Sequence, residues 1–186
     1  MKNPTADIDS ERVTLRALTP MEYKVLNQDP RSALVWENKD FVDSFRHLEN
    51  RPSPLSHRIP RVAEDPDFAP YALRLVIEKE SRNIIGSAGF HTLPTESGMI
   101  EIGIGVEESF RNKGYATEVL LAMWKWVISD ERVETLRYTV SPSNEASIAI
   151  INKFKFTKVG QQIDDEDGPE DIYEMSVLEF KQRFID

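Results

Sequence analysis

The chain contains no cysteine. That excludes disulfides, thiolate nucleophiles and Cys-based metal sites. Histidine is scarce: His47, His57 and His91 are the only three in 186 residues, and their spacing suits no metal site. Long apolar runs are missing as well. The longest, Val119 to Ile128, is broken by Lys125, whereas a membrane span needs about 20 apolar residues. Met1 to Asp7 lacks the apolar core of a signal peptide, so a cytoplasmic protein with no membrane partner is expected. Positive charge is in deficit, with 23 Lys and Arg against 32 Asp and Glu and a net charge of −9. Such a balance argues against nucleic acid as a partner and permits a cationic one.

The remaining composition is that of a globular protein, 40% apolar and 30% charged. The length suits one domain: residues 1–10 read as a tail and 11–180 as a single folded unit. Arg12 to Leu18 alternates as a half-buried strand does. Thr19-Pro20-Met21-Glu22 reads as a helix cap with proline at the first position, opening a helix to about Gln28. From residue 30 to residue 70 the pattern is irregular. Six of the eleven prolines fall there, around one expected helix from Lys39 to Leu48. Such a segment is either functional or an idiosyncratic insertion. Its aromatics Trp36, Phe41 and Phe45 either line an acceptor pocket or anchor the segment.

Tyr71 to Glu78, Asn83 to Leu93 and Met99 to Val106 read as a meander of strands. Val133 to Val140 is the next strand and Asn144 to Phe154 a helix. Phe156 to Gln161 and Asp171 to Val177 are the last strands, around the acidic loop 164–171. The order predicts an α/β (α+β) domain: one mixed, mostly antiparallel sheet of six or seven strands, with about four helices against it.

The chemistry concentrates at residues 99–128. In the strand, Ile100, Ile102, Ile104 and Val106 share one face; Glu101, Gly103, Gly105 and Glu107 share the other. Two glycines on one face leave bare backbone, which suits either a bend or an extended ligand lying alongside. Arg111-Asn112-Lys113-Gly114-Tyr115-Ala116 follows, then a helix with the apolar stripe Ala116, Val119, Leu120, Met123 and Val127. Trp124 and Trp126 widen that stripe and read as packing residues. Positive charge just before a helix opposes the helix dipole unless an anion sits there. The turn is therefore a phosphate cradle or a solvated basic turn. Gly103-Ile104-Gly105 lacks the third glycine of a dinucleotide site, and no Gly-Lys-Ser or Gly-Lys-Thr is present. Gly86-Ser87-Ala88-Gly89 lacks the spacing of a nucleophile elbow.

Arg111-x-x-Gly114-x-Ala116 resembles the turn signature of the GNAT N-acetyltransferase superfamily. The preceding Glu101-Ile-Gly103-Ile-Gly105-Val and the later Asn144-x-x-Ser147 helix, ending near Phe156, resemble its Rim-type branch of ribosomal-protein N-terminal acetyltransferases. The likeness is tight over 99–160. It implies acetyl-CoA as co-substrate, no metal, and direct acetyl transfer to a primary amine, either a protein N-terminus or a small molecule. By the same resemblance Arg111, Lys113, Gly114, Tyr115, Ala116 and Thr117 would hold the pyrophosphate. Backbone groups of Ile104 and Val106, with Asn144, would meet the pantetheine arm in a V-shaped opening between the strands at 99–106 and 133–140.

Glu101 is the candidate base, directly or through water, or else a solvent-facing strand carboxylate. Ser147 is the candidate donor to the leaving thiol, or else it bonds its own helix backbone. Two departures from the family pattern stand out. Ile151 occupies the usual position of a tyrosine acid, leaving Tyr173 as a substitute from a later strand. Lys155 replaces the usual glycine before Phe156, which predicts altered geometry at that helix end. Both departures keep open a rival reading, a non-catalytic acyl-CoA-binding regulatory module. The acceptor's identity and a homodimer are left open by the sequence.

Overall fold

The alternating stretches form one sheet. The computed structural model describes residues 4–49, 54–164 and 168–185. Its strands are β1 (Ile8–Asp9), β2 (Val13–Ala17), β3 (Arg74–Glu78), β4 (Ile84–Phe90), β5 (Met99–Val106), β6 (Thr135–Val140), β7 (Thr157–Asp164) and β8 (Gly168–Ser176). They lie in the order β1-β2-β3-β4-β5-β6-β8-β7. Eight strands exceed the expected six or seven, partly because Ile8–Asp9 of the supposed tail pairs with β2. The acidic loop between β7 and β8 falls partly outside the described residues, at 165–167.

All neighbouring pairs are antiparallel except β5 and β6, which run parallel. Their register covers only Met99↔Thr135, Ile100↔Leu136 and Glu101↔Arg137. Beyond Glu101 the two strands part. This is the splay expected from the resemblance, and it leaves one edge of β5 open from Ile102 to Val106.

The α-helices are α1 (Pro20–Gln28), α2 (Ala33–Trp36), α3 (Arg58–Glu64), α4 (Ala69–Ala72), α5 (Tyr115–Val127), α6 (Glu145–Phe154) and α7 (Val177–Phe184). Seven α-helices among the described residues exceed the expected four. In α1, Thr19 accepts from the Glu22 N–H and Glu22 reaches back to Thr19, a reciprocal cap. Val119, Leu120, Met123, Trp124 and Val127 of α5 are buried, each worth roughly 1.5–3 kcal/mol. Trp124 packs among the rings of Phe154, Phe156 and Phe180, and Trp126 stacks on Phe90. Both tryptophans serve packing.

Three expectations fail, each for a local reason. No helix spans Lys39 to Leu48. Instead Val42 joins the β3–β4 turn, taking a hydrogen bond from Ile84 and giving one to Arg82. Asn38 and Arg46 turn left-handed at φ 58° and 55°. Tyr71 is not in a strand but in α4, where Pro70 occupies an early helical position. Lys155, expected to alter the end of α6, instead adopts the left-handed geometry itself at φ 61° and ψ 39°. Its N–H bonds back to Asn152, and that of Phe156 bonds to Ile151.

A side chain in that region costs about 1–2 kcal/mol, part of which glycine would forfeit through its more flexible unfolded chain. Lys155→Gly is therefore expected to stabilise the fold by about 0.5–1 kcal/mol. Urea unfolding checks this; an unchanged or lower midpoint would contradict it.

Candidate active site

The turn after β5 makes the cradle. Asn112 and Gly114 are both left-handed, at φ 59° and 84°, so the backbone between them curls into a concavity of the kind that receives anions. Gly114 is the cap residue of α5 and no side chain caps that helix. The N–H groups of Tyr115, Ala116 and Thr117 lie in the first turn and have no helical carbonyl behind them. Arg12 fixes the turn from β2's side, donating to the Lys113 carbonyl at 2.9 Å and to Glu118 at 2.8 Å. Burial raises the pKa of Glu118, but hydrogen bonds from Arg12 and Ser10 outweigh it and hold the carboxyl below its ordinary value.

The cradle opens into a cavity of about 570 Å³ between the bare edge of β5, the start of α5 and one face of α6. Ile104, Val106, Arg111, Gly114, Tyr115, Ala116, Thr117, Asn144 and Ser147 line it. In β5 the odd residues bond towards β4, as in His91 N–H to the Glu101 carbonyl. Alternation therefore turns the backbone groups of Ile104 and Val106 towards the splay. Arg111 donates to the Val106 carbonyl at 3.0 Å.

Not every expected residue reaches the cavity with its side chain. The Lys113 ammonium lies 5.3 Å from the Phe110 ring centre, and Lys113 is not among the lining residues. The Tyr115 hydroxyl is turned away to Glu78, 3.3 Å distant. Asn144 spends its side-chain oxygen capping α6, accepting from the Ser147 N–H at 3.1 Å. Lys153, which the sequence reading passed over, lines the cavity one helical face along from Ala146 and Ile150. The i, i+4, i+7 spacing of those three was the available signal.

Tyr138 was also missed. It lines the cavity from β6, and its hydroxyl donates to Ser147 Oγ at 3.4 Å. Burial pushes its pKa up against the opposing effect of Ser147, so it keeps its proton at neutral pH. Tyr173, the substitute suggested from sequence, is its cross-strand partner and does not line the cavity. No sequence spacing links Tyr138 to Ser147; only the strand-to-helix packing does.

On the other face of β5, Glu101 is largely buried, with its side chain 14% exposed. Thr139 donates to Glu101 Oε1 at 2.5 Å, and His91 Nδ1 lies 3.4 Å from the same oxygen. Burial raises the pKa of Glu101. Hydrogen bonds from His91 and Thr139, with the charges of His91 and Arg137, outweigh this and bring the carboxyl below its ordinary value. His91 Nε2 hangs over Gly103, 2.9 Å from where a side-chain carbon would stand there. A side chain at 103 would displace the His91 ring, so the glycine leaves that imidazole its place over the strand.

One residue pair further, Ser87, His47 and Glu107 form a chain. His47 Nδ1 lies 2.5 Å from Glu107 Oε1, and Nε2 lies 2.9 Å from Ser87 Oγ. The order of groups is that of a nucleophilic triad, but Ser87 and His47 are both buried. The chain acts as a tether that holds the irregular segment on β4 and β5. Phe45 adds an edge contact to Phe110, and Trp36 one to Phe41. His47→Ala leaves the buried Ser87 hydroxyl and the part-buried Glu107 carboxylate without their partner, so a loss of about 2–4 kcal/mol is expected. Chemical unfolding reads it, and a loss below 1 kcal/mol would refute the tether.

Among the described residues no cluster of three or more His, Asp or Glu could hold a metal. No helix there is long and apolar enough to cross a membrane.

This architecture recurs in known proteins. A putative ribosomal-protein-serine acetyltransferase from Vibrio cholerae superposes with a TM-score of 0.62 at 17% identity, covering 93% of this chain and 98% of that one. RimL, a ribosomal L7/L12 α-N-protein acetyltransferase solved with coenzyme A, superposes at 0.63 and 16% identity over 92% and 98%. In sequence, the uncharacterized N-acetyltransferase YjdG of Bacillus subtilis is 33% identical over 82 residues, 44% of this chain. The match spans 49%, about half, of that relative's length. The family model for the acetyltransferase (GNAT) domain matches residues 12–157. Since that stretch makes up most of the chain and carries the cavity with it, the chain belongs to the GNAT acetyltransferase family.

Proposed function

We propose that this protein is an acetyl-CoA-dependent N-acetyltransferase acting on a primary amine. The observation that carries the reading is the splay of β5 from β6, opening onto an uncapped helix start. An extended arm fits the bare edge of β5, and a pyrophosphate fits the amides of Tyr115, Ala116 and Thr117. Arg111 and Lys153 supply positive charge around it. Bound there, acetyl-CoA supplies a thioester whose carbonyl carbon the amine nitrogen attacks, so that a C–N bond forms as the C–S bond breaks.

The residues then have two protons to handle. The amine proton passes to His91 Nε2 or to a water beside it, with Glu101 holding the imidazole and sharing the charge. On the other side Ser147 faces the leaving sulfur and passes on a proton supplied by Tyr138. An α-amine of pKa about 7.8 is partly neutral at physiological pH, whereas a lysine near 10.4 is almost wholly protonated. A mild base therefore suffices for an α-amine.

The rival reading of a non-catalytic acyl-CoA-binding module rested on a missing tyrosine and on Lys155. Tyr138 stands at Ser147, and Lys155 keeps the glycine-like helix end. Both observations weigh against it. Calorimetric titration with acetyl-CoA, CoA and ATP tests the proposal, followed by CoA-release assays over an amine panel. Failure to bind either CoA species would sink it.

A further inference from the structure

The ligand face of β5 carries a charge that the acetyl transfer does not use. Arg58, at the start of α3, comes from the irregular segment and is held in place from two sides. Its Nε donates to the Ala72 carbonyl at 2.6 Å and its Nη1 to the Pro54 carbonyl at 3.1 Å. The third nitrogen, Nη2, points at β5, 3.8 Å from where a side-chain carbon of Gly103 would stand. His91 Nε2 shares that spot.

Arg58 is a half-buried cation without an acid. Burial lowers its pKa, and the charged or titratable groups acting on it are Tyr23 and another cation, Arg61. Among the described residues no carboxylate pairs with it. An unpaired charge partly removed from water is costly, and the cost is relieved when a ligand brings the opposite charge. Arginine is also the side chain whose planar fork best matches a carboxylate. Arg61 adds to the local positive field, donating to the His91 carbonyl while its guanidinium lies over Phe68. This patch stands out on a chain of net charge −9.

We propose that Arg58 anchors a carboxylate of the acceptor, which makes the acceptor an amino acid or a similar small amine with its acid group close to the nitrogen. This rests on the acetyltransferase reading above. With the carboxylate on Arg58 Nη2, the amine of such a molecule reaches the spot over Gly103 where His91 Nε2 waits. Polyamines and other purely cationic amines, which the overall charge favours, would instead meet two arginines there.

The test uses the full chain and N-acetylated products, which need no turnover. N-acetyl derivatives of glycine, alanine, β-alanine and glutamate, each paired with its amide at the carboxylate nearest the nitrogen, are titrated into the protein saturated with CoA. At least one acid is expected to bind tenfold or more tightly than its amide. Arg58→Gln should reduce that preference below threefold, and Arg58→Lys should weaken it at least threefold by losing the fork. Melting curves establish that each variant is folded. If Arg58→Gln does not fold, the wild-type preference and the lysine variant decide. An absence of acid preference in all pairs overturns the anchor, as does a preference that survives in folded Arg58→Gln. A separate CoA titration on the same samples keeps the two readings apart. No CoA binding overturns the cofactor reading, whereas CoA binding without acid preference overturns the anchor alone.

Discussion

Gly114→Glu is expected to abolish measurable acetyl-CoA binding, with at least a 100-fold loss of affinity. Two effects add. Gly114 sits at φ 84°, where any side chain costs about 1–2 kcal/mol. Its first side-chain carbon would stand 3.4 Å from Arg12 Nη2, and the new carboxylate would be carried on the turn that lines the cavity, near the expected pyrophosphate. Like charges about 4 Å apart repel by about 1–4 kcal/mol between bulk water and a protein surface. A 100-fold loss corresponds to about 2.8 kcal/mol, within the combined range. Gly114→Asn separates the two effects, because asparagine tolerates the left-handed region and brings no charge. It should lose less than tenfold. Calorimetry on folded samples reads both. Near-normal affinity in the glutamate variant would mean that the anion lies elsewhere.

Glu101→Gln carries the second large effect, a fall in turnover of about 100-fold or more with acetyl-CoA affinity within twofold. The magnitude is that of crippling general base catalysis, since the imidazole loses the carboxylate that holds it and shares its charge. Glutamine keeps the shape and the oxygen that accepts from Thr139, so the strand should hold its form. What is lost is the negative charge facing His91 Nδ1. Equal turnover in the variant would remove Glu101 from the reaction.

The pH profile offers a second reading of the same site. Glu101 is held below the ordinary carboxylate range, so it stays ionised wherever an α-amine titrates, near pH 8. The acid limb of the wild-type rate therefore belongs to the amine and not to Glu101. For stability the sign follows from the depression of the pKa. Glu101 contributes above its unfolded value of about 4.3, and the contribution is lost as pH falls through the folded value. The urea midpoint of wild type should thus exceed that of Glu101→Gln at pH 7, and the difference should shrink as the pH falls below the unfolded value.

The contrast between β5 and the segment from 30 to 70 explains how much could be read early. Met99 to Val106 was legible to the residue because alternation on a strand follows from its two-residue period alone. The cap at Thr19, the helix start at Asn144 and the cradle at Arg111 to Ala116 were legible for a similar reason: each is built from neighbours along the chain. The helix expected over Lys39 to Leu48 was not found, because the bridge of Val42 to Asn83 overrides local propensity. Lys155 shows the reverse: a residue poorly suited to a left-handed position is held there by the packing of the helix end it closes.

The chemistry divides along the same line. Sequence alone determined the bare strand face and marked the turn at 111–116, Glu101 and Ser147 as places to watch, since spacing within one element sets which side chains share a face. Only the tertiary structure put Tyr138 against Ser147, His91 between Glu101 and Gly103, and Arg58 over that glycine. Those groups come from elements far apart in the chain. Their meeting depends on strand register and on where the irregular segment docks, and neither is written in local periodicity.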